Sequence, residues 1–273
     1  ISPLLSIITN ISLDHTAFLG RDLAAIAGEK AGIIKESTPV VIGQYLDETK
    51  EVFSSKAREM NAPIIFSQEI YSMENPRHKD TKLILDVYKS GKLKYKDFTS
   101  TLTGNYQLKN IATMLTAIDE LNNLGFDLSE KIIRGGIENL PTNAPLMGRW
   151  QKLGEKPLII ADTGHNEDGL KYIIEQIAQT PYENLHFVLG MVDDKDVDKV
   201  LSMLPNHAHY YLCKADIPRG LSVDILEEKV KAHNFHYSKH SSVSSAFQAA
   251  KAQAKENDLI FVGGSTFTVA ECV

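Results

Sequence analysis

The stretch from Pro157 to Leu170 reads PLIIADTGHNEDGL, and it indicates the fold class of this 273-residue chain. The apolar run Leu158–Ala161 is typical of a buried strand, and the polar residues 162–166 follow it as a turn. A helical pattern then covers residues 168–179. A strand, a turn and a helix in this order form the first part of a βαβ unit, which is the building block of a parallel sheet.

The same alternation continues to the end of the chain. Apolar runs at 185–189, 208–213 and 259–262 alternate with helical patterns at 196–204, 222–233 and 241–256. Strands separated by helices of this length pair in parallel, with right-handed crossovers. The second half therefore predicts a doubly wound, Rossmann-like domain with a mostly parallel sheet.

The first half carries a less regular α/β pattern. Strand-like runs lie at 4–9, 39–43 and 63–66, helical patterns at 23–34, 47–61 and 105–124, and a hairpin of 82–88 with 93–101 around Ser90-Gly91. Pro141 and Pro145 enclose a short segment without periodicity, which is typical of a linker. We therefore expect two α/β domains, at residues 1–141 and 146–273.

Composition excludes several classes of protein. Lys and Arg number 29 against 35 Asp and Glu, so the net charge of −6 disfavours general nucleic-acid binding. No apolar run approaches the ~18 residues that span a bilayer. Cys213 and Cys272 form no CxxC pair, which argues against a disulfide scaffold or a zinc finger and favours the cytoplasm. Because the chain opens at Ile1 with an apolar run, we expect it to be a piece of a longer protein.

Two loops of the second half are candidate ligand sites, because ligands bind beyond the carboxyl ends of parallel strands. Residues 162–166 supply an acid, an imidazole and an amide, although a plain turn with Asn166 as a helix N-cap explains the same residues. Residues 263–266 place glycines before a helix start, where backbone N–H groups can bind an anion. A plain turn explains this loop equally well. We expect the two loops to be neighbours.

The first half offers weaker candidates. Asp14-His15 can bind a divalent cation, or can be a surface or capping pair. Lys30 shares a predicted helix face with Ile26 and Ile33, where burial would lower its pKa and let the amine react with carbon dioxide; the alternative is a surface lysine. Neither a P-loop, GxxxxGK[ST], nor a GxGxxG occurs in the sequence, so it contains no complete phosphate cradle.

Taken together, these segments resemble the folylpolyglutamate synthase/dihydrofolate synthase family of the Mur ligase superfamily. The matching motifs are TNISLDH at 9–15, LG at 19–20, IAGEKAGI at 26–33, QLKN at 107–110, MGRW at 147–150, DTGHN at 162–166, Gly190 with DKD at 194–196, PRG at 218–220 and GS at 264–265. Each is weak alone, but they follow the family order along essentially the whole chain. The chain departs from the family at Thr163-Gly164, where Gly-Ala is common, and at Asn105-Tyr106.

The resemblance implies an ATP-dependent carbon–nitrogen ligase. Such an enzyme adds L-glutamate to dihydropteroate, to folate (poly)glutamates or to both, through an acyl phosphate. Residues 1–141 would be the C-terminal part of the central ATPase domain and residues 146–273 the glutamate-binding domain, without the P-loop region, so we expect this chain alone to be inactive. The implied cofactors are ATP and Mg²⁺, with K⁺ as a further option. We expect small-molecule substrates, a monomer, and no nucleic-acid or membrane partner.

The resemblance also implies roles for single residues. His15 would be a magnesium ligand, and Lys30 a carbamylated lysine that serves a second metal site and catalysis. The expected nucleotide contacts are Asn110, Arg149 and Asp162. The expected glutamate contacts are His165, which also counts as catalytic, and Ser265. Lys195 and Arg219 lie in matching loops without an assigned role.

Two other functions are compatible with the same segments. The chain could come from another Mur-type ligase that acts on a peptidoglycan precursor, or from a non-catalytic nucleotide-binding module. The EKAGI and DKD segments favour the folate branch. A non-catalytic module predicts substitutions scattered over the motif positions, and most of those positions are intact.

Overall fold

The computed structural model describes residues 2–11, 22–79, 81–193 and 196–273. The chain divides into two compact units, Ile1–Pro145 and Leu146–Val273. Within the described residues, no helix is long and apolar enough to cross a membrane.

The first unit contains a small parallel sheet. Its strands are β1 (Ser6–Ile8), β2 (Val40–Ile42) and β3 (Ile64–Phe66), in the order β1-β2-β3. Helices α1 (Leu23–Ala31) and α2 (Asp47–Glu59) pack against it. The core between them consists of small and branched side chains around the fully buried Phe53. The predicted strands are all present, and α1 ends three residues earlier than the predicted helix, before Gly32.

An antiparallel sheet follows in the same unit. After the short helix α3 (Ser67–Ile70), strands β4 (Tyr71–Lys79), β5 (Lys82–Lys89) and β6 (Lys92–Ser100) pair in the order β4-β5-β6. The predicted hairpin of β5 and β6 is confirmed. Strand β4 was not predicted, because its sequence is polar and contains Pro76; it lies at the sheet edge, where proline is tolerated, with an irregularity between Glu74 and Arg77.

Three helices complete the first unit: α4 (Gln107–Asn123), α5 (Glu130–Glu138) and α6 (Leu140–Asn143). The long predicted helix corresponds to α4, whose apolar side packs on the antiparallel sheet through Ile111 and Leu115. The predicted linker is partly helical, because α6 begins with Pro141 in its first turn, a position where proline loses no hydrogen bond.

The second unit is built on one six-stranded sheet. Its strands are β7 (Gln151–Glu155), β8 (Leu158–Ala161), β9 (Leu185–Leu189), β10 (His209–Leu212), β11 (His236–Lys239) and β12 (Leu259–Gly263). The order is β11-β10-β9-β12-β8-β7, and all neighbours are parallel except β7 and β8. The predicted α/β class with a mostly parallel sheet is confirmed. The last strand of the chain inserts between β8 and β9.

Helices cover both faces of this sheet. They are α7 (Glu167–Gln179), α8 (Val197–Met203), α9 (Val223–Ala232), α10 (Val243–Gln253) and α11 (Thr266–Ala270). Residues of α7, α8 and α9 share one apolar cluster with Phe187 and Phe261, while α10 and α11 pack on the opposite face with Val188 and Val262. Strands β9 and β12 are buried along their whole length, as expected for the centre of a doubly wound sheet.

Candidate functional site

Asp162 anchors the loop that follows β8. Its side chain is 1% exposed; Oδ1 accepts a 2.8 Å hydrogen bond from the Gly164 N–H, and Oδ2 accepts a 2.7 Å bond from the Trp150 N–H. The Asp162 N–H donates to the Val262 carbonyl of the neighbouring strand. This carboxylate therefore fixes the shape of its own loop and ties it to the preceding segment.

The segment around Arg149 is held against the same loop. The Thr163 N–H donates to the Gly148 carbonyl at 2.9 Å, and the exposed Arg149 guanidinium donates to Thr163 Oγ1. Thr163, which departs from the family pattern, thus accepts a hydrogen bond from Arg149, a residue that is predicted to bind the nucleotide. Arg149 and Asp162 lie on adjoining segments, and their role in nucleotide binding stays a prediction.

His165 and Asn166 lead from the loop into α7. The His165 Nδ1 lies 2.9 Å from the Thr163 carbonyl, so an Nδ1–H tautomer would donate to that oxygen and leave Nε2 in the form that accepts protons. Asn166 is the N-cap of α7, and its Oδ1 accepts a 2.8 Å bond from the Gly169 N–H. The expectation of an Asn166 cap is confirmed. The His165 imidazole is half-buried, and the residue lies in the turn that follows the end of β8.

The loop after β12 lies directly beside this one. Strands β8 and β12 pair in parallel with Ala161 opposite Val262, so residues 162–166 and 263–266 leave the same edge of the sheet. The predicted juxtaposition of the two loops is confirmed. Gly264 has a φ of 95°, and a Cβ there would lie 2.6 Å from the Gly190 carbonyl oxygen. Only glycine fits this crossing without strain.

Ser265 is buried in a chain of hydroxyl groups. It is 1% exposed, and its Oγ accepts a 3.1 Å bond from the Thr268 N–H as the N-cap of α11. Thr268 Oγ1 donates to the Gly190 carbonyl at 3.0 Å, so the Ser265 hydroxyl donates its own proton to Thr268 Oγ1, 2.8 Å away. The Ser265 side chain thus stabilises its own loop, and its contact with glutamate stays a prediction.

The loops after β9 and β10 complete this edge. Val192 and Gly220 form an isolated antiparallel bridge, and the Asp193 N–H donates to the Arg219 carbonyl at 3.1 Å. The exposed Arg219 guanidinium lies 4.9 Å from the centre of the Phe267 ring in α11. The edge thus brings together Asp162, His165, Ser265 and Arg219, while Lys195 lies outside the described residues.

The first unit holds the other predicted residues. Lys30 is exposed, and its Nζ donates to the Asn10 carbonyl at 3.1 Å. The expected apolar face is wrong for Ile33, which lies beyond α1 and is 44% exposed, so the surface interpretation describes Lys30 as it stands. His15 lies outside the described residues. Carbamylation of Lys30 stays a prediction.

Asn110 lies in the first turn of α4. Its Nδ2 donates to Gln107 Oε1 at 3.0 Å, and Gln107 is only 4% exposed. The buried glutamine therefore orients the exposed amide of Asn110, which keeps its carbonyl oxygen available to a base or ribose. Its contact with a nucleotide stays a prediction.

A metal site is a separate question from these loops. The described part of the chain contains no group of three or more His, Cys, Asp and Glu side chains that could hold a metal ion. Of the two predicted metal residues, Lys30 is described and His15 lies outside the described residues, so their joint metal site stays a prediction.

Thr268 was not identified from the sequence. It donates to the carbonyl of the motif residue Gly190 and completes the hydroxyl chain that shapes the β12 loop. The spacing of Ser265 and Thr268, three residues apart, is that of a helix N-cap and its N3 partner, and it is the signal that could have indicated Thr268.

Comparison with known proteins agrees with this architecture. Residues 148–266 match the model of the Mur ligase glutamate ligase domain. The dihydrofolate synthase/folylpolyglutamate synthase of Haemophilus influenzae is 32% identical over 295 residues, covering 98% of this chain and 62% of that protein. FolC of Escherichia coli, solved in complex with DHPP and ADP, superposes with a TM-score of 0.80 at 29% identity, over 98% of this chain and 60% of that chain.

The chain is similar along almost its whole length to folylpolyglutamate synthase/dihydrofolate synthases. A further bifunctional family member, solved with Mn, AMPPNP and L-glutamate bound, superposes with a TM-score of 0.78 at 28% identity, over 98% of this chain and 61% of that chain. The chain spans about 60% of the length of these three relatives. The resemblance recognised from the motifs is thus confirmed.

Proposed function

We propose that this chain is part of an ATP-dependent ligase that adds L-glutamate to dihydropteroate, to folate (poly)glutamates or to both. The single observation that carries the proposal is the edge where residues 162–166 and 263–266 adjoin, within the 148–266 region that matches a glutamate ligase domain. The activity is that of a carbon–nitrogen ligase, and its acyl phosphate would be attacked by the glutamate amino group.

The loop backbone and His165 would hold the incoming glutamate. Its carboxylates need hydrogen-bond donors, and the N–H groups of a glycine-rich turn at a strand end supply them without a charged side chain. His165, oriented through the Thr163 carbonyl, would accept a proton from the glutamate amino group at Nε2. The Ser265 hydroxyl supports this loop from beneath.

The cosubstrates of the proposed ligase are ATP and Mg²⁺. A relative solved with Mn, AMPPNP and L-glutamate supports a nucleotide and a divalent cation in this family. Asn110 and Arg149 are the residues of this chain that we assign to the nucleotide. Asp162, whose carboxylate oxygens already accept two backbone N–H bonds, would act by positioning Arg149 through the Gly148–Trp150 turn. Among the described residues, no group of three or more His, Cys, Asp and Glu side chains could hold the cation.

We also propose that the 273-residue chain does not catalyse ligation alone, because no P-loop occurs in its sequence to hold the β- and γ-phosphates. We place the activity in the cytoplasm, where the free Cys213 and Cys272 would stay reduced.

Titration calorimetry of the chain with L-glutamate tests the proposal. We expect saturable binding of L-glutamate, weaker binding of D-glutamate, and loss of binding in His165→Ala. A variant of an exposed histidine far along the chain, His78→Ala, is the matched control and should bind normally. Absence of L-glutamate binding would overturn the glutamate site.

A ligation assay with ATP, MgCl₂, L-glutamate and either dihydropteroate or tetrahydrofolate tests the second part. We expect no product from the isolated chain. Measurable ATP-dependent glutamate addition would contradict the proposed inactivity while supporting the ligase class.

A further inference from the structure

Helices α7 and α8 are joined by an ion pair close to the candidate glutamate site. Lys199 Nζ, in α8, contacts Glu167 Oε2, in the first turn of α7. Glu167 directly follows Asn166 and so lies two residues after His165. The side chains of Lys199 and Glu167 are 51% and 27% exposed, so the pair lies at the surface, beside the sheet edge from which residues 162–166 and 263–266 leave.

The strand order determines which segments of the second unit this ion pair connects. Strands β8 and β9 are separated by β12, so the segments that follow them leave the sheet about 10 Å apart. Helix α7 follows β8 and α8 follows β9, and both pack on the same face. A contact between their first turns therefore joins the two outer sides of the edge, with residues 263–266 between them.

The α8 end of the pair is firmly fixed. Val197 and Leu201 are buried in the apolar cluster, and the Lys199 N–H donates to Asp196 Oδ1 in the N-cap. Asp198 of the same helix pairs with Lys229 of α9 at 2.6 Å. Lys199 thus presents its ammonium group from a helix that the buried Val197 and Leu201 and the Asp198–Lys229 pair hold in place.

Glu167 forms ion pairs with two lysines, one in its own helix and one in α8. Hydrogen bonds from Lys199 and then from Lys171 hold the pKa of Glu167 below its ordinary value, so the carboxylate is ionised at neutral pH. Lys171 lies one turn away in α7 itself, 3.1 Å from Oε1. Its pair with Glu167 stays within one helix, whereas only the Lys199 pair crosses between helices.

We infer that Lys199 and Glu167 are positioning residues: their ion pair holds the start of α7, and with it His165 and residues 162–166, in the geometry that binds L-glutamate. This inference rests on the proposed function. It adds to that function two residues that make no contact with the ligand themselves, and it predicts that breaking the crossing pair lowers glutamate affinity while the fold stays intact.

Three variants of the full 273-residue chain test the inference. Lys199→Gln breaks the crossing pair, Lys199→Arg keeps its charge, and Lys171→Gln removes an equal charge beside Glu167 without affecting the crossing. We expect Lys199→Gln to raise the Kd for L-glutamate about two- to fivefold, as an exposed ion pair allows. Lys199→Arg and Lys171→Gln should stay close to wild type, and urea midpoints should agree among all four proteins.

Hydrogen exchange at single amides separates a local change at the loop from a loss of global stability, which would speed exchange throughout the core. The Gly164 N–H, bonded to Asp162, and the Gly169 N–H, bonded to Asn166, report on the loop and on the cap. We expect both to exchange faster in Lys199→Gln only. The difference in affinity should shrink in high salt, because exposed charges are screened.

The outcomes separate the two proposals. Wild-type binding with an unchanged Kd in Lys199→Gln, or with equal losses in Lys199→Gln and Lys171→Gln, would overturn the positioning role and leave the proposed function standing. A wild-type chain without saturable L-glutamate binding would overturn the glutamate site and the positioning role together.

Discussion

The two edges of the sheet in the second unit each contain a buried aspartate. Asp162 lies at the carboxyl edge and is 1% exposed; Asp258 lies at the amino edge and is 2% exposed. Both carboxylates accept backbone N–H bonds and both tie distant segments together. The difference is in what surrounds them: loops that contain glycines at the carboxyl edge, and a closed network of side-chain hydrogen bonds at the amino edge.

The amino edge is fully occupied by its own groups. Asp258 Oδ1 accepts bonds from the main-chain and side-chain N–H groups of Asn184, at 3.0 and 2.9 Å, and Oδ2 accepts from Lys255 N at 2.7 Å. His186 Nε2 lies 3.2 Å from Oδ2. These bonds stabilise the sheet and leave little hydrogen-bonding capacity on the Asp258 carboxylate for a ligand.

Beyond His186 the same network continues into α10. The His186 Nδ1 atom lies 2.8 Å from the Tyr211 hydroxyl, which donates to Gln253 Oε1 at 2.8 Å. Burial, and then the Asp258 carboxylate, raise the pKa of Tyr211 to about 12, so its hydroxyl stays protonated. The comparison teaches that a buried, hydrogen-bonded aspartate is a framework element at both edges, and that only the neighbouring loops make one edge a candidate site.

The largest expected effect tests this comparison directly. Asp162→Ala and Asp258→Ala should each lower the free energy of unfolding by about 2–4 kcal/mol, because each leaves buried N–H groups without acceptors. L-glutamate binding should be lost only in Asp162→Ala. Urea unfolding and calorimetry measure the two quantities, and loss of binding in both variants would remove the distinction between the edges.

Crowding at the carboxyl edge predicts the next effect. Gly264→Ala should cost about 1–3 kcal/mol, because a Cβ there meets the Gly190 carbonyl and Leu189 at a φ of 95°. Gly91→Ala is the matched control, since Gly91 has a φ of 76° but no atom within 4 Å of an added Cβ. Equal unfolding midpoints for the two variants would show that the loop crossing is not tight.

A smaller effect is expected inside the amino-edge network. Tyr211→Phe should lower the free energy of unfolding by about 1–2 kcal/mol, because His186 Nδ1 and Gln253 Oε1 lose their partner. L-glutamate affinity should stay at the wild-type value, as measured by calorimetry. A clear rise in Kd would show that the two edges are coupled through the sheet.

The smallest effect concerns acid. Burial by itself raises the pKa of Asp258, but the bonds from Lys255, Asn184 and His186 outweigh it, and the pKa lies below the ordinary 3.8. A lowered folded-state pKa gives stability that is present above the unfolded-state pKa and is lost as the pH falls through the folded-state value. From about pH 5 to about pH 2, the free energy of unfolding should therefore fall less steeply in Asp258→Asn than in the wild type.

Much of the second unit could be predicted from the sequence. Strands β8, β9, β10 and β12, the helices between them and the Asn166 cap follow from periodicity and turn chemistry, which depend on residues close in the chain. Strands β7 and β11 could not be predicted, because their polar sequences, QKLGE and HYSK, become strands only by pairing at the sheet edges.

The sequence by itself also indicated the family, and it indicated that the two loops leave the same edge of the sheet, since parallel strands end on one side. That the loops adjoin depended on the pairing of β8 with β12. Tertiary structure alone decided which side chains serve as framework. Asp258 and Asn184 lie 74 residues apart, Thr268 and Gly190 lie 78 apart, and Glu167 reaches Lys199 across β12. Such partners depend on strand order and crossover, which local periodicity does not encode, and so the burial of Ser265 and the exposure of Lys30 emerged only from the fold.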